Sequence, residues 1–389
     1  MTTRREFVPD TSVVPGLAFV GCDVTAAPPS APRRAEPHAQ TQTRPQRREV
    51  VVDGKRVKVV DVHAHCAVPE AMALIGRTVE PNALLMSRPE DRIHAMDAQG
   101  IDVEALSINP YWYTADRDLA SRLVAIQNEK LAEACAVNPE RFVAFASVAL
   151  QHPDLAAAQL EEGVKKYGLR GAAVGGSVNG EELADPKFHP FWAKAEQLGV
   201  LIFIHPQATG IAAEIPNRFK GSGGLDNVIG NPLETTITLS HLIFEGTLDH
   251  FPGLKICAAH GGGYLPSYAA RSDAGCVTFP ARCTKPLRKK PTEYLRQLYY
   301  DTIVFTPEAL RHLAAETGSS QLVLGPTIRI RGRAPRWITS SARRGPATTS
   351  GSRCWEGRRR SCLASARSRW RRVARRGIRL RRLPVSRAY

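Results

Sequence analysis

The sequence predicts an α/β protein, a single (β/α)8 TIM barrel, and three observations predict it. Short β-branched apolar runs alternate with longer amphipathic stretches from residue 50 onward, eight such runs occur, and together they span about 275 residues. Eight βα repeats in that length match one closed barrel. A doubly wound open sheet is the rival, but no GxGxxG follows the first run.

The candidate strands are residues 57–62, 103–108, 142–148, 171–175, 200–205, 254–260, 298–305 and 322–324. Between them, Asn231-Pro232 with Glu234 close behind, and Thr306-Pro307-Glu308, read as helix starts in which a capping side chain precedes a first-turn proline. Ahead of the barrel (50–325), residues 27–49 are rich in Pro, Arg, Gln and Ala and read as a linker. Within residues 1–26, Thr3-Arg4-Arg5-Glu6-Phe7, an uncharged stretch from Thr11 to Cys22 and small residues around Ala26 resemble a twin-arginine export leader. Asp10 and Pro15 interrupt that pattern, so a plain N-terminal extension is the alternative. Cytoplasmic and periplasmic locations both stay open.

The chain has 389 residues, 43% of them hydrophobic, enough to bury a sizeable core. Its net charge of +16 suggests a polyanion partner until the charge is located. Residues 326–389 hold 20 Arg, no Lys and one acid, Glu356, whereas residues 1–325 hold 33 basic and 36 acidic residues. The globular part is therefore not basic, and no specific nucleic-acid role is expected. The eight cysteines form no CxxC pair, so mostly reduced thiols are expected. No apolar run reaches the roughly 18 to 20 residues that cross a bilayer.

In such a barrel reactive groups sit at the C-terminal ends of the strands. The first run ends Asp61-Val62-His63-Ala64-His65, and a strand's period of two points both imidazoles to one side. Two neutral imidazoles converging on one point can chelate a divalent ion. The fifth run ends in His205-Pro206 and the sixth in His260-Gly261-Gly262-Gly263. His94, His152, His189, His241, His250 and His312 fall instead within expected helices or at loop edges. Four histidines at strand ends therefore point to a shared site.

These motifs resemble the amidohydrolase superfamily, in the branch around aminocarboxymuconate-semialdehyde decarboxylase and related non-oxidative aromatic decarboxylases. The resemblance also includes the run from Arg92 to Gly100, Pro139-Glu140-Arg141-Phe142, Pro232-Leu233-Glu234-Thr235-Thr236 and Phe251-Pro252-Gly253-Leu254-Lys255-Ile256. It implies a barrel of the metal-dependent hydrolase type, with His63, His65 and His205 as ligands of a divalent metal, usually zinc, with manganese the alternative. It further implies that His260 handles a proton, that Arg271 is a candidate to hold a substrate carboxylate, and that related enzymes form dimers or larger assemblies. The expected reaction is decarboxylation of a small unsaturated or aromatic carboxylate. Hydrolysis by the same type of site is the nearest alternative; an inactive scaffold, or a nonspecific polyanion binder acting through the arginines, is the second.

The resemblance breaks at the eighth run. The family places a fourth metal ligand there, an aspartate in a G-T-D-Y-P phrase, but the chain reads Leu324-Gly325-Pro326-Thr327-Ile328-Arg329. One permitted codon spelling of residues 326–332, with a single A restored in front, translates as T-D-Y-P-Y-P-W. One permitted codon spelling of residues 353–365, read one base earlier, gives M-L-G-G-T-A-A-K-L-L-G-I, which has the pattern of a closing helix. Residues 326–389 are therefore expected to be the product of a single-base frameshift, disordered, with the eighth βα unit truncated and activity impaired.

Overall fold

The protein is described from a computed structural model, which covers residues 18–19, 47–78, 89–207 and 211–325. The leader, most of the linker and the arginine-rich stretch lie outside the described residues. Eight strands appear where the sequence places them. They are β1 (Val60–Ala67), β2 (Val103–Ser107), β3 (Phe142–Ala144), β4 (Gly171–Val174), β5 (Leu201–Ile204), β6 (Lys255–Ala258), β7 (Tyr299–Asp301) and β8 (Leu322–Val323). β1, β2 and β3 pair in parallel, as do β4, β5, β6, β7 and β8.

Two seams close these sheets into one barrel. Ala146 N–H donates to the Gly171 carbonyl at 2.8 Å and Val62 N–H to the Leu324 carbonyl at 2.9 Å, with parallel bridges at Ala146–Ala172 and Asp61–Leu324. The eight-stranded closure leaves no open edge within this set of strands.

Seven longer helices follow strands or lead into them: α1 (Pro89–Gln99), α2 (Arg117–Val137), α3 (Pro153–Lys165), α4 (His189–Leu198), α5 (Asn231–Phe244), α6 (Leu265–Thr278) and α7 (Pro307–Thr317). α2 and α7 start as their sequences predict: Asp116 accepts from Leu119 N–H, and Thr306 accepts from Ala309 N–H ahead of Pro307. α5 differs. Its chain enters from a π-helical turn over Asp226–Gly230, so Gly230 is already helical and Asn231 makes no cap. A residue in helical backbone cannot fold its side chain over the N-terminal amides, which leaves the Asn231 amide for another use.

The core divides at the barrel wall. Val62, Ala105, Phe145, Ala173, Phe203, Cys257 and Ala259 form one buried cluster, drawn from the inward faces of the strands. The alternate residues, such as Leu106, Val174, Ile202, Ile204, Ile256 and Ala258, pack outward against Leu123, Leu160, Trp192 and Leu242 of the helices. That alternation is the strand period expressed as burial. Among the described residues one disulfide, Cys276–Cys283, corrects the expectation of mostly reduced thiols locally, because the turn after α6 brings together cysteines whose spacing carried no motif. Cys66, Cys135 and Cys257 are free thiols. No helix among the described residues is long and apolar enough to cross a membrane.

Candidate active site

The strand ends bring all four predicted histidines together. His205 follows Phe203 at the period of β5 and shares its inward face, which explains why one residue fills the barrel and the next inward one serves the site. His63 and His65 reach the same point by a less regular route. The β1–β2 register shifts between Asp61 and Ala64, a bulge that lets Val62 join the inner core cluster while Ala64 packs outward. His63 and His65 then both turn inward. Ring centroids lie 4.7 Å apart for His63–His65, 4.8 Å for His63–His205, 4.5 Å for His65–His205 and 5.1 Å for His205–His260.

Ring nitrogens of His63, His205 and His260 lie within 4.8 Å of one another, and His63 Nε2 stands 2.9 Å from His65 Nε2. Grouping by distance therefore joins His260 to His63 and His205, with His65 directly against His63. Burial lowers every one of these imidazoles: His63 to about 3, His260 to about 4, and His65 and His205 well below their usual value. All four are neutral at pH 7, the state in which imidazole donates a lone pair. Both His205 nitrogens and His260 Nδ1 are buried with no hydrogen-bond partner among the described residues. Leaving such atoms unpaired costs about 1–3 kcal/mol each. Converging neutral nitrogens that lack partners fit a divalent metal ion.

Asp301, which sequence reasoning missed, organises this cluster from the end of β7. Its Oδ2 lies 2.6 Å from His63 Nδ1 and also accepts from His260 N–H at 2.9 Å, while Oδ1 accepts from Gly261 N–H at 2.8 Å. Burial raises the Asp301 carboxyl, opposed by His260 and by these backbone donors. With the Nδ1 proton shared toward Asp301, Nε2 becomes the lone-pair atom of His63, the arrangement that fixes a metal-binding imidazole. An acid ending an apolar strand, Tyr299-Tyr300-Asp301, was the available signal. On the other ligand side, Ser107 Oγ lies 3.4 Å from His65 Nδ1.

The segment after His260 shows why three glycines follow. His260 itself has φ of 56°, an uncommon value for a residue with a side chain, and Gly263 continues at 65°. A Cβ on Gly263 would stand 2.1 Å from the Pro232 carbonyl oxygen, so only glycine lets β6 turn sharply against the start of α5.

The site opens into a cavity of about 1290 Å³. His65, His205 and His260 line it, whereas His63 is fully buried behind them. Arg77, Asn231 and Phe305 also reach the lining, and Asn231 Oδ1 is buried without a partner among the described residues. Arg271 is placed otherwise: it lies exposed on α6 and outside the residues that line this cavity. Glu234, on the first turn of α5, is 4% exposed and accepts from Gln207 N–H at 3.3 Å. Burial, with a smaller contribution from Glu182, pushes its carboxyl up to about 7.

A closed parallel barrel with imidazoles gathered at the C-terminal ends of its strands is the architecture of a metal-dependent barrel enzyme. The amidohydrolase family profile matches residues 60–325, and the chain belongs to that family, in the branch of aminocarboxymuconate-semialdehyde decarboxylase and related aromatic decarboxylases. It is 30% identical over 271 residues to 2-amino-3-carboxymuconate-6-semialdehyde decarboxylase of Dictyostelium discoideum, covering 68% of this chain and 73% of that protein. It is 29% identical over 286 residues to gamma-resorcylate decarboxylase of Rhizobium sp. (strain MTP-10005), covering 68% and 85%.

Among solved structures, 5-carboxyvanillate decarboxylase from Sphingomonas paucimobilis superposes with a TM-score of 0.59 at 27% identity, over 72% of this chain and 81% of the other. A dihydroxybenzoic acid decarboxylase from Polaromonas sp. JS666, with bound manganese and the inhibitor 2-nitroresorcinol, gives 0.60 at 25% identity, over 72% and 89%. The manganese bound in the Polaromonas structure and the histidine cluster support a divalent metal ion here.

Proposed function

We propose that this chain is a metal-dependent non-oxidative decarboxylase of a small aromatic carboxylate, weakened by the sequence that follows Gly325. The cluster of neutral, buried histidines at the mouth of a barrel related to aromatic-acid decarboxylases carries this reading. His63, His65 and His205 would hold the metal, with Asp301 orienting His63. When bound, the ion supplies a Lewis acid and a template for an anionic substrate.

The chain's own residues supply the rest. Loss of carbon dioxide leaves a carbon that must gain a proton. His260 carries that proton: a neutral imidazole with an unpartnered buried nitrogen takes it from the substrate's acidic group and returns it to the carbon. Arg77 places a cation on the cavity lining for a carboxylate, and the Asn231 amide oxygen offers an acceptor for a substrate hydroxyl. Phe305 gives the same cavity an aromatic surface.

The expected impairment follows from the chain after β8. A Cβ at Gly325 would stand 3.2 Å from the His63 Cβ, so β8 leads up to the cluster at the glycine from which the family phrase continues to its aspartate. Here Pro326-Thr327 follows instead, and residues 326–389 read as an off-frame translation. Resequencing the gene across the codons for residues 322–331 tests this part. For the activity, the manganese-loaded chain is incubated with resorcylate-type and carboxyvanillate-type acids while carbon dioxide release is followed. Slow release that disappears in His260→Asn supports the reading; hydrolysis of an ester or amide panel with no decarboxylation replaces it.

A further inference from the structure

The bulge in β1 creates a problem that the outer side of the barrel wall solves. A bulge takes backbone groups out of the ladder, and buried backbone groups need partners. The amide of His63 donates to the Asp61 carboxylate at 2.9 Å, and the carbonyl of His65 accepts from Arg92 Nη1 at 3.2 Å. Arg92 Nε in turn donates to Glu104 Oε2 at 2.5 Å, and Glu104 is the register partner of Asp61 on β2. All three charged residues are nearly inaccessible, at 2%, 5% and 6% exposure.

Two costs accompany Arg92. Its guanidinium is buried, which is expensive in solvation, and it sits in the first turn of α1, where the helix dipole disfavours a cation. A mere staple between α1 and β2 could be built more cheaply from apolar side chains. What apolar side chains cannot do is donate to the His65 carbonyl, which fixes the strand just past the register shift between Asp61 and Ala64.

From this geometry we propose that Arg92, set by Glu104, is a positioning residue: with Asp61 it holds the bulge of β1 from outside the barrel and so aims His63 and His65 at their common point. It touches neither cavity nor substrate. The inference rests on the reading of His63 and His65 as metal ligands, and it extends the site to a network on the far side of the strand.

The test is made in the full chain with Arg92→Met, Arg92→Lys, Glu104→Gln and the double variant Arg92→Met/Glu104→Met. Manganese affinity is measured by competition with a chromophoric chelator, alongside thermal unfolding. The double variant removes both charges together, so it folds even where Arg92→Met alone leaves Glu104 unpaired and unstable. The expected result is a Tm near wild type in the double variant with manganese affinity still reduced about tenfold or more. Arg92→Lys, which retains a donor without the fork, is expected to fall between.

A stable double variant with wild-type manganese affinity overturns the proposal and leaves a structural staple. Wild-type protein that binds no manganese removes the metal reading instead. In that case the 15N shifts of the His63 and His65 rings decide: changed rings in the double variant uphold the positioning role, and unchanged rings end it.

Discussion

β1 and β8 are neighbours across the seam that closes the barrel, yet they serve the site very differently. β1 spans eight residues, seven of them buried, and its carboxylate and both site histidines have partners on this strand, on β2, on β7 or on α1. β8 has two residues, both only half-buried, and among the described residues the backbone pairing to β1 is made at Leu324, just past its end. The contrast teaches that the histidine cluster is secured from one side. Its imidazoles are placed by β1, β5, β6 and β7, while β8 contributes the closing backbone and no charged ligand among the described residues.

The largest expected effect tests the secured side at its reactive centre. His260→Asn is expected to lower decarboxylation by about 10²–10⁴-fold, the range for losing a general acid–base group. Manganese binding is expected to survive, and a parallel loss of metal would reassign His260 as a ligand. Next in size is Asp301→Asn, which weakens the orientation of His63 and the hold on the His260 and Gly261 amides at once. Metal affinity should fall about 10–100-fold, read by chelator competition. An unchanged affinity would show that β1 alone fixes His63.

The opposite change sharpens the weak side. Pro326→Thr combined with Thr327→Asp restores Gly-Thr-Asp after β8, and manganese affinity is expected to rise about tenfold, by the weight of one added charged partner to a buried ion. No gain would mean that His63, His65 and His205 already saturate the site.

A smaller effect separates ligand chemistry from support. Folding raises the Glu234 carboxyl from its ordinary 4.5 to about 7, so between those values the folded chain holds a proton that the unfolded chain has released. This group therefore makes stability fall as pH rises through that window, and its penalty is fully present above about pH 7. Glu234→Gln is expected to have a higher Tm relative to wild type at pH 8 than at pH 5. Equal differences at the two pH values would remove Glu234 as the source. The smallest effect is at Phe305, held at φ of 60° with its ring half exposed. Phe305→Gly should raise stability by up to about 1 kcal/mol by chemical denaturation, because glycine adopts that backbone without strain.

Much of this is legible in the sequence. The strands were readable because apolar β-branched runs with a period of two can be buried only one way in a barrel. Histidines that end such runs stand out because imidazole has no reason to close an apolar strand repeatedly. The Thr306 cap was legible for the same local reason. Asn231 had the same local signature and failed, since the π-helical turn before it fixed the backbone first. Asp301 was overlooked because a single acid in Tyr299-Tyr300-Asp301 acquires meaning only when β7 lies beside β1 and β6.

By itself the sequence determined the barrel, the four histidines and the break after Gly325, because periodicity and composition are local properties that need no partner to be seen. Only the tertiary structure decided that Asp61 accepts from the His63 amide in the β1 bulge, that Arg92 donates to the His65 carbonyl beyond it, that Asp301 orients the His63 ring, and that Arg271 lies exposed on α6. Those relations join residues from 2 to 238 positions apart, and the energy of a hydrogen bond depends on distance in space.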